Sequence, residues 1–296
     1  MKREVVMFKG SIVAIVTPFK GGQVDEEAFR MLIEEQIENR TSAIVPCGTT
    51  GESATLSMEE HARVIDIAVG AVNKRVPVIA GAGGNSTREA IELTAHAKAA
   101  GADATLQVTP YYNKPTQEGL YRHFSAIAGE VPFPQVLYNV PGRTSVNLLP
   151  ETVARLAELP EVVAIKEASG SLPQMAEILD LAGENITLLS GDDSVTLPVL
   201  SIGGKGVISV VANLVPGDNA GMIRAWEEGR ADEARERFFR LFPLSKAMFY
   251  ETNPIPVKTA LALMGKVDGE MRLPLSPMAP VNVERLKKDL QGYGIL

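Results

Sequence analysis

Eight short apolar or β-branched runs recur along the chain with amphipathic stretches between them, and this alternation limits the possible folds more than any other feature. The runs are Ile12 to Val16, Ala43 to Pro46, Val76 to Ala80, Ala104 to Val108, Gln135 to Asn139, Val162 to Lys166, Thr187 to Ser190 and Gly206 to Val210. Each has the length of a strand, and repeated βα units build parallel sheets covered by helices. The stretches Asp25 to Asn39, Ser57 to Val72, Ser86 to Ala99 and Gln117 to Ile127 have helical spacing. Several open on Asp or Ser, whose side-chain oxygens accept from the first free amides of a helix. The expectation is an α/β fold, a (β/α)8 TIM barrel. From about Val215 the strand signal stops. Helix-like segments continue, interrupted at Pro243, Pro254 and Pro256 and by the proline-rich Leu273 to Pro280, which predicts a C-terminal helical extension. The expected organisation is a catalytic barrel over 1–224 and a helical extension over 225–296, with no low-complexity linker between them.

Barrels of this kind run to 296 residues as one domain, so length does not call for a split. Hydrophobic residues at 45% and charged residues at 22% allow a large core and exclude a disordered or fibrous chain. A net charge of -7 with no Lys/Arg cluster argues against nucleic acid as a partner and for a small-molecule substrate. No apolar run reaches the roughly 18 to 20 residues that cross a bilayer, and the opening MKREVVMFKG lacks the apolar stretch of a signal peptide. A cytoplasmic protein without membrane contact is expected. Cys47 is the single cysteine, so no internal disulfide can form. His61, His96 and His123 all fall in helical segments and none is paired with Cys47 by the sequence; a small buried thiol is the simpler reading than a nucleophile.

In a barrel the reactive groups sit at the C-terminal ends of the strands. Lys166 follows the apolar Val162-Val163-Ala164-Ile165, a strand that delivers its amine to the barrel mouth. Burial disfavours the ammonium form and leaves an amine able to attack a ketone, against the alternative of a lysine snorkelling outward. Tyr138 ends another strand, where a phenol can pass protons. Thr49 and Thr50 lie between glycines in a tight loop. Their hydroxyls suit a carboxylate or a proton chain, although a turn alone also needs Gly and Thr. Arg143, after Pro141-Gly142, can grip a carboxylate with two parallel hydrogen bonds or form a surface ion pair. The run Gly203 to Gly206 has the look of a phosphate loop, which would suit pyridoxal phosphate, or of a plain tight turn. Asp192 and Asp193 are neighbours, and a helix N-cap before Ser194 to Ile202 accounts for them more simply than a metal does. No metal-ligand spacing occurs, so a metal site has no positive support.

Taken in order, GTTGESATL from Gly48, TPYYNKP from Thr109, YNVPGRT from Tyr138, IKEASG from Ile165, SGDD from Ser190, GGKGVISV from Gly203 and NPIPVK from Asn253 resemble the dihydrodipicolinate synthase family, within the group that holds N-acetylneuraminate lyases and 2-keto-3-deoxygluconate aldolases. The resemblance implies a class I aldolase of lysine biosynthesis through diaminopimelate, condensing pyruvate with L-aspartate 4-semialdehyde. By it, Lys166 is the Schiff-base lysine, Tyr138 the proton donor and acceptor, and Thr49 with Tyr112 the rest of a relay. Thr50, Ile208 and Gly191 bind substrate, and Arg143 within PGRT holds the aldehyde's carboxylate and separates synthases from sugar-acid lyases. It further implies a homotetramer, in which Tyr112 reaches a neighbouring subunit. Ser53, Ala54, Met58, His61, Asn85, Glu89 and Tyr111 match a lysine-inhibitor site, with Met58 where lysine-sensitive members carry a histidine. Three other readings are a sugar-acid lyase, a pyridoxal-phosphate enzyme and a non-catalytic barrel.

Overall fold

The computed structural model describes residues 8–296; residues 1–7, most of the opening MKREVVMFKG, lie outside the described residues. Eight parallel strands of one sheet alternate with helices, the element order of a (β/α)8 barrel. They are β1 (Gly10–Ala14), β2 (Ala43–Val45), β3 (Ile79–Gly81), β4 (Ala104–Val108), β5 (Gln135–Asn139), β6 (Val162–Glu167), β7 (Thr187–Ser190) and β8 (Gly206–Ser209). Nearly every strand residue is buried. Parallel strands covered on both faces read as continuous apolar runs, and that is why the runs were visible in the sequence.

Three strands match the expected spans residue for residue, and the others shift for local reasons. The third run begins late because Pro77 has no N–H for a ladder; its carbonyl still accepts from the Ile44 amide at 3.0 Å. β1 starts two residues early at Gly10-Ser11, where the Ser11 carbonyl accepts from the Ser42 amide at 2.7 Å. β6 runs one residue past Lys166, and Glu167 pairs in register with Asn139.

By contact density the chain forms two units. The first holds Ile79–Ile208 and residues 8–9. Its strands pair in sequence order, with Leu106 opposite Val136, Tyr138 opposite Lys166 and Lys166 opposite Leu189. Leu120, Phe124 and Ile127 from the helix Gln117–Glu130 pack with Leu137 and Ile165 in its core.

The second unit holds Gly10–Val78 and Ser209–Leu296. Here β1 and β2 pair through Ile12 opposite Ala43 and Ala14 opposite Val45. Asp25 and Ser57 cap the helices Glu26–Glu38 and Met58–Val72 as expected, Ser57 in a reciprocal capping box with Glu60. The expected C-terminal helices are Pro216–Glu227, Ala231–Ala247, Ile255–Leu263 and Pro280–Tyr293. Two expectations need correction. Pro243 does not interrupt a helix but lies inside Ala231–Ala247, which tolerates the missing N–H bond. Pro254 does lie in the gap between Ala231–Ala247 and Ile255–Leu263, as expected, but Pro256 interrupts nothing: it occupies the first turn of Ile255–Leu263, where a missing N–H costs little. No helix among the described residues is long and apolar enough to cross a membrane.

Candidate active site

At the ends of β5 and β6 the pleat sends Tyr138 and Lys166 to one face and Asn139 and Glu167 to the other. Lys166 and Tyr138 are both buried, at 5% and 6% exposure. The Lys166 Nζ stands 4.3 Å from the centroid of the Tyr138 ring, so the amine and the phenol that the sequence proposed at separate strand ends lie together. Snorkelling into solvent is thereby excluded for Lys166.

Gly191 explains itself here. Its amide donates to the Glu167 carbonyl at 2.8 Å, and a Cβ on it would stand 2.6 Å from the Ala168 Cβ and 3.2 Å from the Lys166 Cγ. Only glycine lets the chain after β7 pass this close to the lysine stem. Ile208 is fully buried on β8.

After β5 the segment Pro141–Thr144 forms a single helical turn closed by Ser145 in the left-handed region at φ 56°. It places Arg143 on the lining of a cleft of about 700 Å³, shared with Tyr111, Tyr112, Lys114, Thr144 and Ser145. Two cations and no carboxylate line it, a setting that favours a carboxylate ligand. Tyr112 is 92% exposed and holds φ 46°, a conformation that costs a tyrosine free energy. The segment is fastened from Asn85, whose Oδ1 accepts from the Tyr111 amide at 2.9 Å and whose carbonyl accepts from the Asn113 Nδ2 at 3.0 Å.

In the other unit, Gly48 to Ser53 fold into a compact loop. The Gly51 and Ser53 amides both donate to the Gly48 carbonyl, and Thr17 Oγ1 donates to the Gly51 carbonyl at 2.7 Å. Thr50 is buried and its Oγ1 accepts from Asn253 Nδ2 at 3.0 Å, while Thr49 is half-buried. The loop ends on Glu52, left-handed at φ 53°, whose carboxylate meets Lys258 Nζ at 2.5 Å with both side chains wholly buried. Burial holds the Lys258 ammonium below the usual lysine range, with Glu52 opposing the shift. Phe19 lies against the pair, its ring centroid 4.3 Å from the Lys258 Nζ. Sequence reasoning gave Glu52 and Lys258 no role. The signal available was a charged residue inside each of two recognised blocks.

The residues matched to an inhibitor site divide between the units. Ser53 and Ala54 form a 3₁₀ turn, Met58 opens its helix half-exposed, and His61 is buried. In the first unit Asn85 fastens the tyrosine segment, Glu89 lies in the first turn of Thr87–Ala100, and Tyr111 is 40% exposed.

Three weaker motifs resolve as structure. The Gly203, Gly204 and Lys205 amides donate to the carbonyls of Leu200, Val199 and Leu188, so the glycine run is a turn and not a phosphate cradle. Asp192 caps the segment after β7, accepting from the Ser194 amide at 2.8 Å. Cys47 is buried, and burial pushes its thiol well above the usual range, as expected of an inert side chain.

A strand-end lysine buried against a phenol, in an eight-unit parallel α/β chain, has the make-up of a class I, Schiff-base-forming aldolase. The chain belongs to the dihydrodipicolinate synthetase family, whose description matches residues 7–292. A relative from Geotalea uraniireducens called 4-hydroxy-tetrahydrodipicolinate synthase is 62% identical over 98% of this chain and 100% of its own length. The dihydrodipicolinate synthase of Acinetobacter baumannii, solved in complex with pyruvate, is 48% identical with a TM-score of 0.96 over 98% of this chain and 100% of that one. The enzyme of Cyanidioschyzon merolae, solved with lysine bound, is 44% identical with a TM-score of 0.95 over 98% and 99%. The fold class expected from the alternation is therefore that of the family.

Proposed function

We propose that the chain condenses pyruvate with L-aspartate 4-semialdehyde to 4-hydroxy-tetrahydrodipicolinate, the committing step of lysine synthesis through diaminopimelate. The observation that carries this reading is the buried Lys166 amine 4.3 Å from the Tyr138 ring centroid, in a chain 62% identical to a relative of that name. Lys166 attacks the ketone of pyruvate and water leaves, giving an imine. Loss of a methyl proton gives the enamine, whose carbon attacks the aldehyde, and the new alkoxide takes up a proton. The amine of the former aspartate semialdehyde then adds to the imine carbon, the bond to Lys166 breaks, and the ring closes. One water is released per product, and the scheme calls for neither metal nor organic cofactor.

Tyr138 passes the protons, and we assign Thr49 and Tyr112 to the rest of the relay and Thr50, Ile208 and Gly191 to the keto acid. Arg143, in a cleft lined by cations, binds the aldehyde's carboxylate. Tyr112 is exposed and its backbone is held in a conformation that costs free energy, which suits a residue completing a site in a second copy. We therefore propose a homotetramer acting in the cytoplasm, with a lysine-inhibitor site at the residues above weakened by Met58. We also propose a division by role: 1–224 carries the chemistry, and 225–296 supports it through Asn253 on Thr50 and Lys258 on Glu52.

A coupled assay of pyruvate and L-aspartate semialdehyde with an NADPH-dependent reductase tests the reading, with Arg143→Ala raising KM for the aldehyde at least about ten-fold and leaving KM for pyruvate unchanged. Inactivity toward the aldehyde together with cleavage of N-acetylneuraminate or a keto-deoxy sugar acid would overturn it.

A further inference from the structure

Behind the reactive pair, on the opposite face of the same strand ends, lies a carboxylate that the scheme above does not use. Glu167 is wholly buried, yet it pairs with no cation among the described residues. Its Oε1 accepts from the Ser169 amide at 2.6 Å; its Oε2 accepts from Asn139 Nδ2 at 2.9 Å and Gln174 Nε2 at 3.3 Å. A buried charge of this kind is costly unless its lone pairs are met, and here neutral donors alone meet them.

Those donors are themselves locked. Asn139 Nδ2 also donates to Asn147 Oδ1 at 2.8 Å, and Asn139 Oδ1 accepts from the Leu148 amide at 2.9 Å. Asn147 Nδ2 donates to Gln174 Oε1 at 2.8 Å, and Gln174 Nε2 returns a bond to Asn147 Oδ1 at 3.1 Å. The closed network ties the last residue of β5, the last residue of β6, the chain just after the Arg143 turn and the first turn of the helix Leu172–Ala182. Asn139 follows Tyr138 and Glu167 follows Lys166, so the contact between Asn139 and Glu167 fixes how the phenol and the amine stand to each other.

We propose that Glu167 is a positioning residue for the aldol chemistry, acting through Asn139 to hold Lys166 and Tyr138 in register; this rests on the Schiff-base reading above. Proton transfers between amine, substrate and phenol depend steeply on that spacing, whereas first capture of pyruvate by a buried amine depends on it less. In Glu167→Gln one acceptor oxygen becomes an NH₂ donor facing other donors. In Asn139→Asp two carboxylates face each other. In the double variant the new side-chain amide at position 167 can donate to the new carboxylate at position 139 and still accept from the Ser169 amide; with the reciprocal Asn147 and Gln174 amides both turned over, the network is restored with its polarity reversed.

The test is steady-state kinetics on wild type, both single variants and the double variant, with melting temperatures and borohydride trapping of pyruvate. Each single variant is expected to lose at least about ten-fold in kcat with KM for pyruvate changed by less than about three-fold. Both still trap pyruvate on Lys166, and the double variant recovers much of kcat. Single variants within about two-fold of wild type in kcat, or a double variant showing the two losses simply multiplied, overturn the proposal. Should Glu167→Gln not fold, Asn147→Ala, which removes a support of both Asn139 and Gln174, must lower kcat without raising KM, and unchanged kcat again overturns it. Wild type that fails to trap pyruvate at all overturns the Schiff-base reading instead, so the two failures are distinguishable.

Discussion

A methyl group in place of one hydrogen of Gly191 would stand 3.2 Å from the Lys166 Cγ and 2.6 Å from the Ala168 Cβ. Gly191→Ala is expected to push Ala168 and Lys166 apart by a few tenths of an ångström or more. Misplacement of this kind costs roughly 10- to 100-fold in rate. We expect kcat to fall accordingly and the melting temperature to drop by a few degrees, since the overlap with the Ala168 Cβ costs about 1–3 kcal/mol, measured by the coupled assay beside thermal unfolding; full activity would show that the lysine does not need its present position. Sequence reading reached Gly191 only through resemblance, since the demand for glycine comes from β6, about 25 positions earlier, and no local pattern reports a close approach. Lys166 and Tyr138 were legible for the opposite reason: each ends an apolar run, and the strand period alone sends it to the face it occupies.

Among the elements, the strands were read well because burial on both faces leaves nothing but apolar residues in most of their length, and the spans failed where a backbone donor is missing, as at Pro77. Pro243 was misread because a helix packed on Leu241 and Leu244 tolerates the loss of one hydrogen bond that an isolated helix would not. The loop Gly48 to Ser53 shows what a sequence conceals. Its stability rests on Lys258, which lies 206 positions from Glu52 and buries its ammonium entirely. Removing either partner strands the other as an unpaired buried charge, so Glu52→Gln and Lys258→Met are each expected to cost about 3–5 kcal/mol in urea unfolding. The double variant should cost less than the sum of the two singles, and strict additivity would mean the pair is not coupled.

On the scale of the whole molecule, the family and the chemistry were legible because ordered motif blocks survive at 62% identity to a relative of known name, while long-range ionic ties were not. Arg272 and Glu60, 212 positions apart, form two hydrogen bonds, and the guanidinium draws the Glu60 carboxyl down to about 2. Depression of a carboxyl in the folded state adds stability that is complete above about pH 4.5 and lost as pH falls toward 2. Wild type should therefore exceed Arg272→Met in melting temperature at pH 7, and the gap should narrow across that window to what the Thr55 and Gly22 carbonyls and the Phe19 ring contribute; a gap independent of pH would leave no share to Glu60. In the proposed chemistry Lys166 carries pyruvate as an imine. Borohydride reduction in the presence of pyruvate, followed by peptide mapping, tests it most directly. One reduced pyruvyl group is expected on the peptide bearing Lys166 and none in Lys166→Ala; an adduct on another lysine, or no adduct in an active enzyme, would rule out the Lys166 imine.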